Sequence, residues 1–243
     1  MLIQDTSVTV TYKKIEDIKK IYDSNKNVLE QYFKDVMILP IPDDAPLEIP
    51  RIILKSQNGH AQLNISPVAT TFGVQYNAGY EKNWNECALY VSTRMRTVFD
   101  FLNRLTNDVY EYVGVVTNVI YDEVSQNGTE KLASTLLKSP KIKNLFDINL
   151  KYTFIEESSL FVNIMLQNAR FFKDSVDVNE AGSLNINDQV AESIGACIDI
   201  NDRYAFNTDV MYKSNSKLLS KLLVCMNNII NNKLQILIEK GEY

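Results

Sequence analysis

The clearest pattern in the chain is a stripe of apolar residues that recurs every three or four positions. Its members are Trp84, Cys87, Ala88, Val91, Met95, Val98, Phe99, Leu102 and Leu105. This spacing places them all on one face of an α-helix, because a helix turns once in about 3.6 residues. Asn83 precedes the stripe and is a favoured N-cap residue. The pattern therefore predicts a long amphipathic helix capped by Asn83 or a near neighbour.

A second helical stripe lies near the end of the sequence. It consists of Leu219, Leu222, Leu223, Met226, Ile229, Ile230, Leu234 and Leu237. Ser214 and Ser216 precede it, and serine is a common N-cap residue. We therefore predict a final long helix that begins near these serines.

Strand patterns precede the first long helix. Residues 51–56 and 61–66 flank the dipeptide Asn58-Gly59, which is the strongest short signal for a β-hairpin because both turn residues tolerate positive φ. Residues 7–12 and 70–76 alternate and predict two further strands. Apolar positions from Ile15 to Phe33 have near-helical spacing and predict one helix or two shorter ones. Four prolines then predict a rigid extended connection: Pro40, Pro42, Pro46 and Pro50.

The second half of the sequence has the same order of patterns. We predict a strand over 109–121, a short helix over 130–137, a hairpin from 148–154 and 162–166, and a strand over 194–200. The predicted fold class is therefore α+β, with an antiparallel sheet packed on two long amphipathic helices and a tandem β-α-β-β-β-α pseudo-repeat. Residues 1–106 and 107–243 would be the two halves of one continuous domain. Two separate small domains are the alternative, but no linker composition supports them.

Composition and charge favour a globular protein and disfavour a nucleic-acid binder. The 243 residues are 45% hydrophobic and 23% charged, which is typical of a globular chain. The net charge is −5, whereas nucleic-acid binders usually have a basic balance. The start of the chain has no secretion signal pattern, and no segment is apolar enough to cross a membrane. Cys87, Cys197 and Cys225 form no disulfide framework. We therefore expect a soluble, cytoplasmic protein with no membrane association.

Candidate catalytic groups are few. His60 is the only histidine, and its position after the Asn58-Gly59 turn predicts an exposed turn residue. A histidine-rich metal site is therefore excluded, and no cysteine cluster replaces it. The eight glycines lack the spacing of phosphate-binding loops. Residues 177–188 approach a calcium loop, but Ala181 stands where a ligand is needed, so a polar surface loop is expected. We predict no catalytic, cofactor or metal residues, and an enzyme is the less favoured interpretation.

Four aromatic residues lead from the strand at 70–76 into the first long helix. They are Phe72, Tyr76, Tyr80 and Trp84. Tyrosine and tryptophan combine apolar area with a polar tip, a combination that suits interfaces. These residues are therefore the predicted partner-binding residues. The alternative for Trp84, favoured by its place on the apolar stripe, is that it seals the helix against the sheet.

Several segments together resemble a known family. They are Trp84 at the start of a long helix, Val113-Gly114-Val115 in a strand, and the run from Ile198 into the final helix. In this order they are similar to a sporadically distributed family of uncharacterised bacterial proteins of about 250 residues. Val116-Thr117-Asn118 departs from that family's Arg-Tyr-Ile-Asn segment, and its frequent histidine at the last helix is missing. The resemblance covers the chain from about residue 50 and implies no established activity, but the family's patchy occurrence suggests mobile or defence-linked genes.

Three functional hypotheses follow. The leading one is a non-catalytic protein-binding or assembly module, an accessory subunit of a bacterial defence or toxin-linked system that self-associates, as a homodimer, or binds a protein partner. The second is a small-molecule binder or enzyme with a pocket between the sheet and the helices, which converging polar groups would support. The third is nucleic-acid binding through the sheet face, which an acidic face would oppose.

Overall fold

A single antiparallel sheet of nine strands forms the framework of the chain. The computed structural model describes residues 1–42, 44–121, 127–137, 144–173 and 186–243. The strands lie in the order β2-β3-β4-β5-β1-β6-β9-β8-β7. Their bounds are Leu2–Thr11 (β1), Phe33–Ile38 (β2), Ile52–Ser56 (β3), Ala61–Ile65 (β4), Ala69–Gln75 (β5), Tyr112–Tyr121 (β6), Asn149–Glu156 (β7), Leu160–Phe172 (β8) and Gln189–Asn201 (β9). The predicted α+β class with an antiparallel sheet is confirmed.

Helices accompany the sheet. Their bounds are Ile18–Asn25 (α1), Trp84–Thr106 (α2), Gly128–Leu136 (α3), Arg203–Thr208 (α4), Leu218–Asn228 (α5) and Leu234–Lys240 (α6). Helices α2 and α5 contact each other, α5 lies against β6 and β9, and α3 lies against β8, β9 and α6. The Asn83 side chain accepts a hydrogen bond from the Asn85 N–H and caps α2, as its sequence position predicts.

The centre of the sheet joins the two ends of the sequence. Strand β1 pairs with β5 on one side and with β6 on the other, so Val8 lies opposite both Phe72 and Val115. Strands from residues 1–106 and from 107–243 therefore belong to one sheet.

The core lies where alternate strand residues meet the helices. Val8, Val10 and Phe72 are fully buried, as is Met95 on α2. Burying each such side chain stabilises the fold by about 1.5–3 kcal/mol. Because successive side chains of a strand point to opposite faces, the alternating apolar positions determine which face of the sheet carries the helices. The predicted hairpin around Asn58-Gly59 is confirmed, with Leu54 opposite Leu63.

The first half contains one strand more than the sequence predicts. The helical interpretation up to Phe33 is wrong, because α1 ends at Asn25, a 3₁₀ turn follows, and β2 begins at Phe33. Strand β2 pairs with β3 at the edge of the sheet. Residues after Phe33 in β2 are exposed on both faces, so this strand has no alternating pattern for the sequence to reveal. Four strands, not three, thus separate α1 from α2.

The C-terminal helical segment also differs from its prediction. Helix α5 begins at Leu218, and a π-helical turn at Ile229–Lys233 separates it from α6. Ser214 instead pairs through its main chain with Tyr110. The Ser216 main chain is held by Asp108, whose carboxylate accepts from its N–H at 2.8 Å. Both serines therefore fasten the segment before α5 to the start of β6 and do not cap the helix.

The proline-rich connection between β2 and β3 is organised by a buried cation. Arg51 is 3% exposed, and its guanidinium donates to the carbonyl oxygens of Ile49, Pro42, Ala45 and Pro46. Proline residues leave many carbonyl groups without ladder partners, and the five N–H groups of one arginine can satisfy several of them. The predicted rigid connection is therefore folded around Arg51.

A buried carboxylate extends the hydrogen bonding of the sheet at the end of β9. Asp202 is 0% exposed, and its Oδ1 accepts from the Val113 N–H at 2.7 Å. Its Oδ2 accepts from the Tyr212 hydroxyl at 2.7 Å. The carboxylate thus replaces a main-chain carbonyl where the ladder between β6 and β9 ends. Burial raises the pKa of Asp202, against the opposing effect of these hydrogen bonds.

Candidate binding cleft

An aromatic cleft lies where the β3–β4 turn and the end of β5 face α2. Its volume is about 590 Å³. The turn contributes Asn58 and His60, and α2 contributes Tyr90 and Arg94. The segment from the end of β5 completes the lining with Val74, Gln75, Tyr76, Asn77 and Tyr80. We refer to this site as the aromatic cleft.

The turn and the helix meet through His60 and Tyr90. The His60 Nε2 and the Tyr90 hydroxyl oxygen are 2.9 Å apart and hydrogen bonded. Their rings are tilted with centroids 5.7 Å apart. Tyr80 packs edge-on against the same Tyr90 ring at 6.1 Å, an arrangement that aromatic pairs favour. The histidine is exposed as predicted, yet it is also a wall of the cleft.

Arg94 places a positive charge in this aromatic environment. Its guanidinium carbon lies 3.7 Å from the centre of the Tyr32 ring and 4.7 Å from that of Tyr90. Such cation–π contacts hold a guanidinium without using its N–H groups. Within the described ranges, no carboxylate forms an ion pair with Arg94. The guanidinium is therefore oriented, and its hydrogen-bond donors remain available.

The four predicted partner-binding residues divide into two pairs. Tyr76 and Tyr80 line the aromatic cleft, and Tyr80 is 40% exposed. Phe72 is 0% exposed and Trp84 is 3% exposed, and both belong to the core. The burial of Trp84 agrees with the alternative for this residue, a place in the core. The structure brings Tyr76 and Tyr80 together at one site and leaves Phe72 and Trp84 without a surface.

The thiol nearest the cleft is held in its neutral form. The Cys87 Sγ donates to the Tyr80 carbonyl oxygen at 3.3 Å. Burial raises the pKa of Cys87 to about 11, and burial likewise raises the pKa of the Tyr76 hydroxyl. A neutral thiol is a poor nucleophile, and the Tyr76 hydroxyl is buried, so this residue contributes apolar ring area to the lining. Neither Cys87 nor Tyr76 is therefore an activated nucleophile.

Sequence reasoning missed Tyr90 and Arg94. They are four residues apart, so they lie on the same flank of α2 beside the apolar stripe. A tyrosine followed by an arginine at that spacing is a signal for a shared surface, but only the fold brings Tyr32 and His60 to it. Neither partner is a neighbour in sequence.

The open face of the sheet has acidic groups near its centre. Asp5 on β1 and Asp199 on β9 accept hydrogen bonds from Asn118 at 2.8 Å and Asn163 at 3.1 Å. Carboxylates at this position oppose phosphate binding to the face. The calcium-like segment at 177–182 lies outside the described residues. Elsewhere in the part of the chain that the structure describes, no cluster of three metal-ligating side chains occurs.

Comparison with protein-family models and curated protein sequences identifies no relative. No protein-family model matches the chain, and no curated protein matches it. The resemblance based on Trp84 and Val113-Gly114-Val115 therefore stays a prediction. Among the described residues, no helix has the length and apolar character required to cross a bilayer.

Proposed function

We propose that this protein is a non-catalytic binding module that captures a segment of a partner protein in the aromatic cleft. The observation that carries the proposal is the oriented Arg94 guanidinium beside Tyr90, Tyr80 and His60. Tyrosine and arginine are the residue types that dominate protein interfaces energetically. Their rings and donors here converge on one accessible concavity.

Preorganisation strengthens this interpretation. Tyr90 is fixed by three contacts, to His60, Tyr80 and Arg94. Ordering a flexible side chain upon binding costs about 0.5–1.5 kcal/mol, so a cleft whose side chains are already ordered retains more of its interaction free energy. The ordered Tyr90 ring therefore supports the proposed binding, because little further ordering of this side chain would be needed.

A small-molecule binder is the second candidate. The aromatic cleft lies between sheet strands and α2, and its volume of about 590 Å³ is within the usual range of ligand sites. Its rim is open at Tyr80 and His60, a feature that favours an extended chain segment over an enclosed metabolite. Nucleic-acid binding through the sheet face is the least supported, because Asp5 and Asp199 occupy the centre of that face.

The wider predictions remain part of the proposal. A cytoplasmic location and an accessory role in a bacterial defence or toxin-linked system rest on composition and on the stated resemblance. Homodimer formation is likewise proposed, as is a tandem pseudo-repeat whose first half has one strand more than the predicted β-α-β-β-β-α order. The observation in favour of the repeat is that β1 and β6 each begin a strand–helix–strand series and pair with each other at the centre of the sheet.

Native mass spectrometry tests the binding function. The tagged protein is purified gently from its source organism as wild type, as Tyr80→Ala and as the matched control Leu89→Ser, whose side chain is 67% exposed on α2 outside the cleft. We expect an additional polypeptide mass with the wild type and the control, and its loss with Tyr80→Ala. A bare chain in all three would contradict the proposed function. A mass retained by Tyr80→Ala would contradict the assignment of the cleft, and a mass below about 1 kDa would favour the small-molecule candidate.

A further inference from the structure

Arg94 is the one cation among the described residues that contacts two aromatic rings, and no carboxylate there forms an ion pair with it. A guanidinium presents five N–H donors in a planar fork that matches two carboxylate oxygens. The Tyr32 and Tyr90 rings contact the guanidinium through its carbon, at 3.7 Å and 4.7 Å from the ring centres, and no described residue accepts a hydrogen bond from its N–H groups. This geometry is suited to receive an oxyanion.

We propose that Arg94 binds a carboxylate of the captured partner segment, while an apolar or aromatic group next to that carboxylate packs against Tyr80 and Tyr90. This inference rests on the proposed function and specifies its ligand class. The Tyr80–Tyr90 pair, edge-on at 6.1 Å, supplies ring surface next to the charge. The ligand therefore has an acidic group and a ring or apolar side chain within one or two residues.

The charge of the cleft selects carboxylate over phosphate. Arg94 is its only permanently charged cation among the lining residues, and His60 is the only other group there that can become positive. A phosphate monoester carries nearly two negative charges and is generally held by clustered arginines or by a helix N-terminus. The chain as a whole has a net charge of −5, which further disfavours a dianion. A single negative charge matches a single guanidinium.

Three small probes separate these chemistries. N-acetylphenylalanine has a ring and a carboxylate, its carboxamide has the same ring without the charge, and phenyl phosphate has a ring with a dianion. Each is titrated into the isotope-labelled full chain, and the NMR signals of the Arg94 Nε–H and the Tyr90 ring report binding. We expect the carboxylate to bind about tenfold more tightly than the carboxamide, because charge-assisted hydrogen bonds are about twice as strong as neutral ones. The affinity should fall as salt is added.

Substitutions assign the effect to Arg94. Arg94→Gln should remove the preference for the carboxylate over the carboxamide, and Arg94→Lys should retain part of it because lysine lacks the planar fork. Arg96→Gln is the matched control, since Arg96 is exposed on the same helix and is not a lining residue. The preference should be unchanged in this control. Fluorescence of the single tryptophan, Trp84, checks that each variant is folded.

Each contrary result has a distinct meaning. Equal binding of the carboxylate and the carboxamide would overturn the carboxylate inference and leave the binding function intact. Tenfold tighter binding of phenyl phosphate would overturn it in favour of a phosphorylated segment. A partner that depends on Tyr80 in mass spectrometry but is unaffected by Arg94→Gln would also overturn the inference alone. Absence of a partner mass from the wild-type chain would instead contradict the proposed function.

Discussion

The buried Asp202 carboxylate provides the sharpest test of how the sheet is held together. Substitution by alanine removes both of its acceptor oxygens. The Val113 N–H then lies in the interior without an acceptor, at a cost of about 1–3 kcal/mol. The hydrogen bond from Tyr212 adds about 1 kcal/mol. We therefore expect Asp202→Ala to lower the free energy of unfolding by about 3 kcal/mol.

Urea denaturation followed by Trp84 fluorescence measures this loss. With a slope of about 3 kcal/mol per molar urea for a chain of this size, the midpoint should fall by about 1 M. Asp202→Asn should lower it far less, because its amide oxygen can still accept from Val113 and its amide nitrogen can donate to Tyr212. Asp209→Ala is the control, since among the described residues the exposed Asp209 side chain accepts only from the Met211 N–H, at 2.8 Å. A shift no larger in Asp202→Ala than in Asp209→Ala would refute the reasoning.

The pH dependence of Asp202 has an unusual sign. Burial raises its pKa in the folded state, so the unfolded chain loses this proton first as the pH rises from about 4. The unfolded state is then favoured, and the contribution of Asp202 to stability falls between the unfolded and the folded pKa. Above the folded pKa the contribution is constant. The stability of the wild type relative to Asp202→Asn should therefore decrease across that window, and an increase would contradict the raised pKa.

Two further substitutions probe other contacts. Hydrogen bonding from Lys233 lowers the pKa of Glu156. The Glu156 carboxylate therefore stabilises the fold above the ordinary pKa of a glutamate, and this stabilisation is lost as the pH falls. In urea titrations, Glu156→Gln should lower the free energy of unfolding by about 0.5–1 kcal/mol at pH 7 and should have no effect near pH 3. A Cβ at Gly128 would collide with the main-chain carbonyl of Ser193. Gly128→Ala should therefore lower the thermal midpoint and reduce the free energy of unfolding by about 2 kcal/mol, although alanine normally favours helices. Gly73→Ala, where a Cβ meets open space, should change the midpoint little.

The elements that sequence analysis predicted well are those whose signals are local. The stripe of α2 and its Asn83 cap depend on residues within a few positions of one another. The β3–β4 hairpin depends on Asn58-Gly59, because Gly59 adopts a φ of +71° that a turn of this kind needs. In both cases the physical cause lies within the segment itself.

The elements that were missed depend on distant partners. Strand β2 has exposed side chains on both faces, so only its hydrogen bonds to β3 define it, and these are invisible in a local pattern. The π-helical turn at Ile229–Lys233 preserves the apolar stripe, since its Ile229 and Ile230 are both buried, and the stripe alone predicts an uninterrupted helix. Ser214 and Ser216 resemble caps, but Tyr110 and Asp108 of the β6 approach determine their positions.

Burial separates the members of the predicted aromatic set, which residue type alone could not do. Phe72 and Trp84 both belong to the buried core, whereas Tyr80 is 40% exposed and lines the aromatic cleft. Truncating a buried aromatic side chain costs about 3–5 kcal/mol, so Phe72→Ala and Trp84→Ala should lower the unfolding midpoint. Tyr80→Ala should remove the proposed contact with the partner and leave the midpoint nearly unchanged.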